Sequence, residues 1–400
     1  MSKILKTLKP YASKAYAKLN RLYQFSAHKL GFIRHYILPR EFYISDEILK
    51  AEHEKLFGEM WIFAALTLEI KENKSWVKKK IGNKELLITH EDGEYFAIEN
   101  ICPHKNMQLC KNDNGKGTLV CEYHAWSFNC NGTVKTIPFL DRSYKFEDKQ
   151  KELANMTKYE TTVIGAFIFV KMRKSSMTVE KQFDPAIIKS LKLMSKMLQD
   201  KYGTFFEVRN FNWKMNFENL RDSLHPAVLH SSTLGKEVDF SAQYQDVPPM
   251  HKMLGRLPLH HASSFTKDGE NVKGKKGHLD DLIKPSFPNG YYNWLLFPNF
   301  HMATPDGGRS YSIEVHNPIE AGRTEISHYV IVNRPFSDDA MLEEIIEHRL
   351  RGLRPVLEED YQACERVQHA IKFTDREQNV GCYEHYNANI ATLYRRLIKK

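Results

Sequence analysis

The pair Cys102-Pro103-His104 and Cys121-Glu122-Tyr123-His124 constrains this chain more than any other feature. Each half offers one thiolate and one imidazole, so the fold has to bring two loops together at a metal. Two Cys and two His can make a tetrahedral zinc centre. They can also hold a [2Fe–2S] cluster with the cysteines on one iron and the histidines on the other, where neutral imidazole makes its iron easier to reduce. Zinc fingers usually pair Cys with Cys and His with His at each end. Here the types are mixed within each half and flanked by Pro103, Tyr123 and Trp126, so the cluster is the expectation. The cysteines fall at 102, 110, 121, 130, 364 and 382, behind no apolar leader. That pattern points to metal binding in a reducing compartment and not to a disulfide framework. Cys110 and Cys130 read as bystander thiols.

The length of 400 residues suggests two domains, or one with a large insertion. No run of apolar residues is long enough to span a bilayer. The net charge of +9 is unevenly placed. Nine of the 58 basic residues lie in residues 1–40, which hold no Asp or Glu, and the remaining 49 balance the 49 acidic ones. The pI near 9.0 therefore carries no nucleic-acid signature. Within that arm, Ile4, Leu8, Tyr11, Ala15, Leu19 and Leu22 recur at a helical period. A helix docked on its own protein, a membrane-surface or acidic-partner contact, and a targeting sequence all fit it. The expected location is cytoplasmic, with the arm as a candidate peripheral membrane contact.

Organisation divides the chain into 1–40, a basic arm; 41–57, a helical lead-in; 58–172, a small all-β unit; and 173–400, a mixed domain enclosing a pocket. Strand-like runs cover Trp61–Leu66, Trp76–Ile81, Glu85–His90, Tyr95–Ile101, Thr118–Glu122 and Thr162–Lys171. Beyond them, Pro185–Lys201 and Phe217–His230 read as helices, followed by strands Tyr291–Leu296, Ser310–His316 and Glu325–Val332. Ser337–Leu350 and Leu357–Lys372 read as two closing helices, and Thr266–Gly277 as a surface loop.

A second constellation is Glu218-Asn219-Leu220-Arg221-Asp222-Ser223-Leu224-His225, with His230 following. A regular helix would splay His225 and His230, but Pro226 breaks the ladder between them and lets both converge. Two His and one carboxylate on one face of Fe(II) leave the opposite positions open for dioxygen. Alone the spacing is a weak pattern, and two surface histidines would explain it.

Together the motifs resemble the Rieske non-haem iron oxygenases, specifically the terminal oxygenase (alpha) subunits of the aromatic-ring-hydroxylating dioxygenase superfamily. The match includes Tyr123-His124-Ala125-Trp126, Gly132 and Pro138, then the Asp222/His225/His230 signature. Two departures lie beside the cluster: Lys105-Asn106 where the family has Arg-Gly, and Ala125 where it has Gly. Neither removes a ligand. The resemblance implies an α+β chain, with an all-β Rieske [2Fe–2S] domain inserted before an α+β helix-grip (START-like) catalytic domain built on an antiparallel sheet. It implies Cys102, His104, Cys121 and His124 as cluster ligands, and His225 and His230 on a mononuclear Fe(II). The third iron ligand falls in the late Glu-Asp-x-x-x-x-Glu-x-x-Gln stretch at Asp360, with Glu359 as its competitor; a solvated acidic helix face is the bland alternative. Asp222 is implied as the catalytic bridge from His225 to His124 of a neighbouring subunit, in a head-to-tail homotrimer.

The same resemblance implies O2 as co-substrate and electrons from a separate reductase or ferredoxin, with NAD(P)H acting only through that partner. No Gly-x-Gly-x-x-Gly occurs in the chain itself. The implied reaction is hydroxylation, dihydroxylation or oxidative demethylation of a small, aromatic or hydrophobic substrate. Aromatic candidates for the pocket wall include Phe217, Tyr292, Trp294, Phe297 and Tyr311, with His301 as a polar handle. Asp at 222, in place of Glu, leans away from quaternary-amine demethylases. The rivals are a pure electron carrier, which would need only the cluster, and an inactive relative that keeps the metals for structure.

Overall fold

Short runs of β-branched and aromatic residues broken by turns set up strands throughout the first half of the chain. The structure, a computed structural model, describes residues 38–222, 225–233, 250–254, 257–265, 283, 286, 291–333, 339–376, 378, 394 and 398. The expectations for the arm 1–37, the loop 266–277 and Cys382 lie outside them. The chain divides into two compact units, residues 52–196 and the remainder. Helix α1 (Asp46–Lys55) carries the chain between them, with Ser45 Oγ accepting from the backbone of Ile48. Among the described residues, no helix is long and apolar enough to cross a membrane.

The first unit is antiparallel β. Strands β1 (Ile62–Leu66), β2 (Ser75–Ile81), β3 (Lys84–Glu91), β4 (Glu94–Glu99) and β5 (Asn114–Lys116) join one sheet with the later β9 and β10. A second, three-stranded sheet holds β6 (Leu119–Val120), β7 (Ser127–Phe128) and β8 (Val134–Thr136). The single run expected over Thr162–Lys171 is a hairpin, β9 (Lys158–Ile164) and β10 (Phe167–Lys171). It turns at Gly165, whose φ of +65° favours a residue without Cβ. Trp76, Leu87, Ile98, Leu109, Leu119, Trp126, Phe128 and Met156 form the core beneath the two Cys/His loops. Helix α2 (Pro185–Ser195) closes this unit.

The second unit is a seven-stranded antiparallel sheet ordered β11-β17-β16-β15-β14-β13-β12. Its strands are β11 (Leu198–Arg209), β12 (Met250–Leu254), β13 (Leu257–Phe265), β14 (Tyr291–Leu296), β15 (Phe300–Thr304), β16 (Ser310–Glu320) and β17 (Arg323–Asn333). The helix expected over Phe217–His230 is two pieces, α3 (Trp213–Asn219) and a single turn α4 (Pro226–Leu229). Pro226 occupies the first helical position, where its missing N–H costs nothing. The two closing helices are one, α5 (Asp339–Ala370), which continues past Pro355. An interior proline costs about 3 kcal/mol. Burial of Leu342, Ile345, Ile346 and Leu350 before it, and of Leu357, Tyr361 and Cys364 after it, offsets that cost. Gly203 on β11 permits the approach: a Cβ there would stand 2.5 Å from Ile346 Cγ2.

Candidate metal centres

Both Cys/His loops have the same backbone turn. In the first, the N–H of Asn106 donates to Cys102 O at 2.9 Å and the N–H of Cys102 to Met107 O at 2.8 Å. In the second, Ala125 donates to Cys121 O at 2.9 Å and Cys121 to Trp126 O at 2.8 Å. Each turn needs one left-handed residue, Asn106 at φ 56° and Ala125 at φ 57°. Glycine would be unstrained at both positions. Asn tolerates this region, whereas Ala is disfavoured there by about 1 kcal/mol.

These turns bring the four candidate ligands together. The His104 and His124 rings lie 4.4 Å apart, edge to face, and the Cys102 and Cys121 thiols are within hydrogen-bonding reach. Burial pushes the Cys102 thiol up to about 11, and its neighbour Cys121 adds to the shift. Nδ1 of each histidine is buried without any hydrogen-bond partner. Two orphaned nitrogens beside two buried thiols are the donor set a [2Fe–2S] cluster needs, and the residues fit it. Cys110, Cys130 and Cys364 are free thiols as well.

The second constellation is assembled by two helices pinned to one another. Asn212 caps α3 through the Lys214 backbone at 3.1 Å and donates to Tyr43 O and Ala321 O. Gln368 on α5 accepts from Asn212 N at 2.8 Å, and Glu365 accepts from Asn210 N at 3.0 Å. The late acidic motif therefore does two jobs: its Glu365 and Gln368 fasten α5, and its Asp360 then meets Asn219 Nδ2 at 2.8 Å.

His225 and His230 cap the two ends of the single turn α4, so their rings converge to 5.2 Å. His225 Nε2 lies 3.4 Å and His230 Nε2 3.2 Å from the same Asp360 oxygen. All three ligand atoms fall within 4.8 Å of one another. Donors about 2.1 Å from one ion at near-right angles stand about 3 Å apart, so the set fits a single metal. Glu359 takes a different position. It accepts from His230 Nδ1 at 2.8 Å and from the Ser232 and Thr233 hydroxyls at 2.7 Å each. That bond places the His230 proton on Nδ1 and leaves Nε2 with its lone pair inward. Asp222 Oδ2 stands 3.7 Å from His225 Nδ1. Burial alone would lower His225, but the Asp222 and Asp360 carboxylates outweigh it and raise it to about 9. Burial would likewise raise Asp360, yet the two imidazoles hold it below the usual carboxylate range.

Sequence reasoning named His301 but missed the polar network that it joins next to this site. His301, Glu314 and His328 lie directly opposite one another on β15, β16 and β17. Glu314 accepts from His301 Nδ1 at 2.7 Å, from the Tyr361 hydroxyl at 2.8 Å and from Asn216 at 3.2 Å. Asn216 also meets His316 Nε2 at 2.8 Å. Tyr361 follows Asp360, and Asn216 precedes Asn219 on the same face of α3, so the network borders the metal set. Period-two alternation of polar residues on β16 was the one available signal. Of the aromatic pocket-wall candidates, Phe217, Trp294, Phe297 and Tyr311 are buried, and Tyr292 stacks on Trp294 at 5.8 Å.

Comparison with known proteins assigns both halves of the chain to known domain families. Residues 60–160 match the Rieske [2Fe-2S] domain, and residues 190–398 match the ring hydroxylating alpha subunit catalytic domain. The oxygenase subunit of carnitine monooxygenase from Acinetobacter baumannii is 24% identical over 347 residues, covering 84% of this chain and 85% of that protein. The large oxygenase component of salicylate 5-hydroxylase from Ralstonia sp. is 24% identical over 220 residues, 48% of this chain and 49% of the relative. Among solved structures, naphthalene 1,2-dioxygenase from Rhodococcus sp. bound to indole superposes with a TM-score of 0.73 at 17% identity, covering 95% of this chain and 98% of that one. The quaternary ammonium Rieske monooxygenase CntA with L-carnitine gives a TM-score of 0.69 at 20% identity, over 90% and 95%. The chain belongs to the ring-hydroxylating alpha-subunit family, and is an oxidoreductase of the Rieske non-haem iron oxygenase class.

Proposed function

We propose that the chain is a terminal oxygenase in which Cys102, His104, Cys121 and His124 hold the Rieske cluster and His225, His230 and Asp360 hold a mononuclear Fe(II). The observation that carries this reading is the convergence of three ligand atoms within 4.8 Å, on a segment and a late helix far apart in sequence. When bound, the cluster supplies single electrons and the iron supplies the place where O2 is activated. The protein's own side chains prepare that place. Glu359 fixes the His230 tautomer, Asn219 orients the Asp360 carboxylate, and Asp222 stands at the outer nitrogen of His225.

Asp222 is partly exposed, so a side chain from another subunit can reach it. It is the proposed link to His124 of a neighbouring copy in a homotrimer, with electrons delivered by a separate reductase or ferredoxin. The proposed substrate is a small aromatic or hydrophobic molecule, supported by the buried aromatic residues around Phe217 and Phe297. The test is O2 uptake with a surrogate reductase and NADH against salicylate, naphthalene, L-carnitine and glycine betaine, with products identified. Coupled turnover of an aromatic member supports the reading. Turnover confined to the quaternary amines replaces the substrate class, and uptake with none of them at full metal content argues for an inactive relative.

A further inference from the structure

Between β8 and β9 the chain makes a strained turn with no role in either sheet. Residues Leu140–Tyr144 form a π-helical turn, closed by Lys145 N to Leu140 O at 2.8 Å. Phe139 at φ 60° and Lys145 at φ 49° flank it, both in the left-handed region that L-residues disfavour. Packing of Phe139 does not hold it there, since that ring is 70% exposed. Backbone strain of this kind persists only where the surrounding structure holds it. Here the product of the strain is the placement of Tyr144. Its ring stands edge-on to His104 at 5.4 Å and to Trp126 at 5.6 Å, and its hydroxyl accepts from Trp126 Nε1 at 3.4 Å. Trp126 in turn lies flat on the His104 imidazole, 4.8 Å away and 3° from parallel. Phe146 packs against both Trp126 and Tyr144. The other imidazole is treated differently: the ring beside His124 is Tyr123, which is 58% exposed.

We infer that Tyr144 is a positioning residue for the cluster: with Trp126 it clamps the His104 ring and keeps water from that side, which holds the reduction potential down. The sign follows from charge. One-electron reduction adds a negative charge, which a dry aromatic surround disfavours and water stabilises. Both imidazoles are half-buried; what separates them is that Trp126 and Tyr144 cover His104 on two sides, while the ring beside His124 is an exposed tyrosine. The inference rests on His104 being a cluster ligand, as proposed above.

The test is dye-mediated potentiometric titration of the reduced-cluster electron paramagnetic resonance signal in the whole protein. Absence of a His-ligated signal in the parent protein would defeat the ligand assignment itself. With that signal present, Tyr144→Ala and Tyr144→Leu are expected to favour the reduced state by about tenfold, or 59 mV for a one-electron couple. Tyr144→Phe keeps the ring and is expected to stay within about threefold of the parent. Phe139→Gly, which relieves the turn and leaves Tyr144 in place, is expected to hold the potential and raise the melting temperature. A merely structural Tyr144 would lower cluster content without moving the midpoint of the cluster that remains. An unchanged midpoint in the Leu variant, or a shift in the Phe variant as large as in Leu, overturns the inference.

Discussion

Removal of Glu359 separates the two carboxylates that compete for the third iron position. Glu359 touches the outer nitrogen of His230, while Asp360 faces the inner nitrogens of both histidines. A hydrogen bond to a charged group contributes about 1.5–3 kcal/mol. Glu359 is partly exposed and shared with two hydroxyls, so the lower part of that range applies. A loss of about 1.5–2.5 kcal/mol corresponds to a roughly 10- to 60-fold weaker iron affinity in Glu359→Ala, in keeping with outer-shell carboxylates elsewhere. Glu359→Gln keeps an acceptor for the Nδ1 proton and is expected to lose less than about tenfold. Asp360→Ala removes a ligand and is expected to abolish retention of the mononuclear iron while the cluster stays. Chelator competition on the purified variants, with the cluster signal as internal control, reads all three. Loss of iron in Glu359→Ala as complete as in Asp360→Ala would refute the assignment.

Three further outcomes follow from the geometry. Asp222→Ala should keep both metal centres and lose nearly all turnover in the O2-uptake assay; parent-like rates would remove Asp222 from the electron route. Ala125→Gly should raise stability by up to about 1 kcal/mol in urea titration, because it relieves the left-handed strain at the second cluster loop; Ala125→Val should lower stability instead. His316 is buried and held neutral, its pKa lowered to about 4 mainly by desolvation, which Glu314 only partly offsets. The unfolded chain takes up that proton near pH 6.5 and the folded chain does not, so stability should fall as pH drops from about 6.5 to about 4. The loss is on the order of 3 kcal/mol, and a pH series of urea titrations on the parent and His316→Gln should show the slope flattening in the variant.

Much of this architecture was legible because metal ligands are chemically specific and their neighbours are stereochemically constrained. The mixed Cys/His halves, and Pro226 between two histidines, each point to a definite local shape. Secondary structure was less legible where tertiary packing overrode local rules. The break expected between Leu350 and Leu357 does not occur, because buried residues on both sides of Pro355 hold α5 together. The turn at Gly165 was hidden inside an apolar run that reads as one strand. The polar network around Glu314 was not legible either: its members come from β15, β16, β17, α3 and α5, and only cross-strand register brings them together. Glu359 and Asp360 are adjacent on one helix, so spacing alone could not tell which of them faces both histidines.

The most direct test of the account is iron and acid-labile sulfide analysis of the purified protein, together with the spectrum of its dithionite-reduced form. A cluster plus a mononuclear site predicts about three irons and about two sulfides per chain, with a histidine-ligated [2Fe–2S] signal. About two irons with that signal would leave only an electron carrier, and bound zinc without it would contradict the account outright.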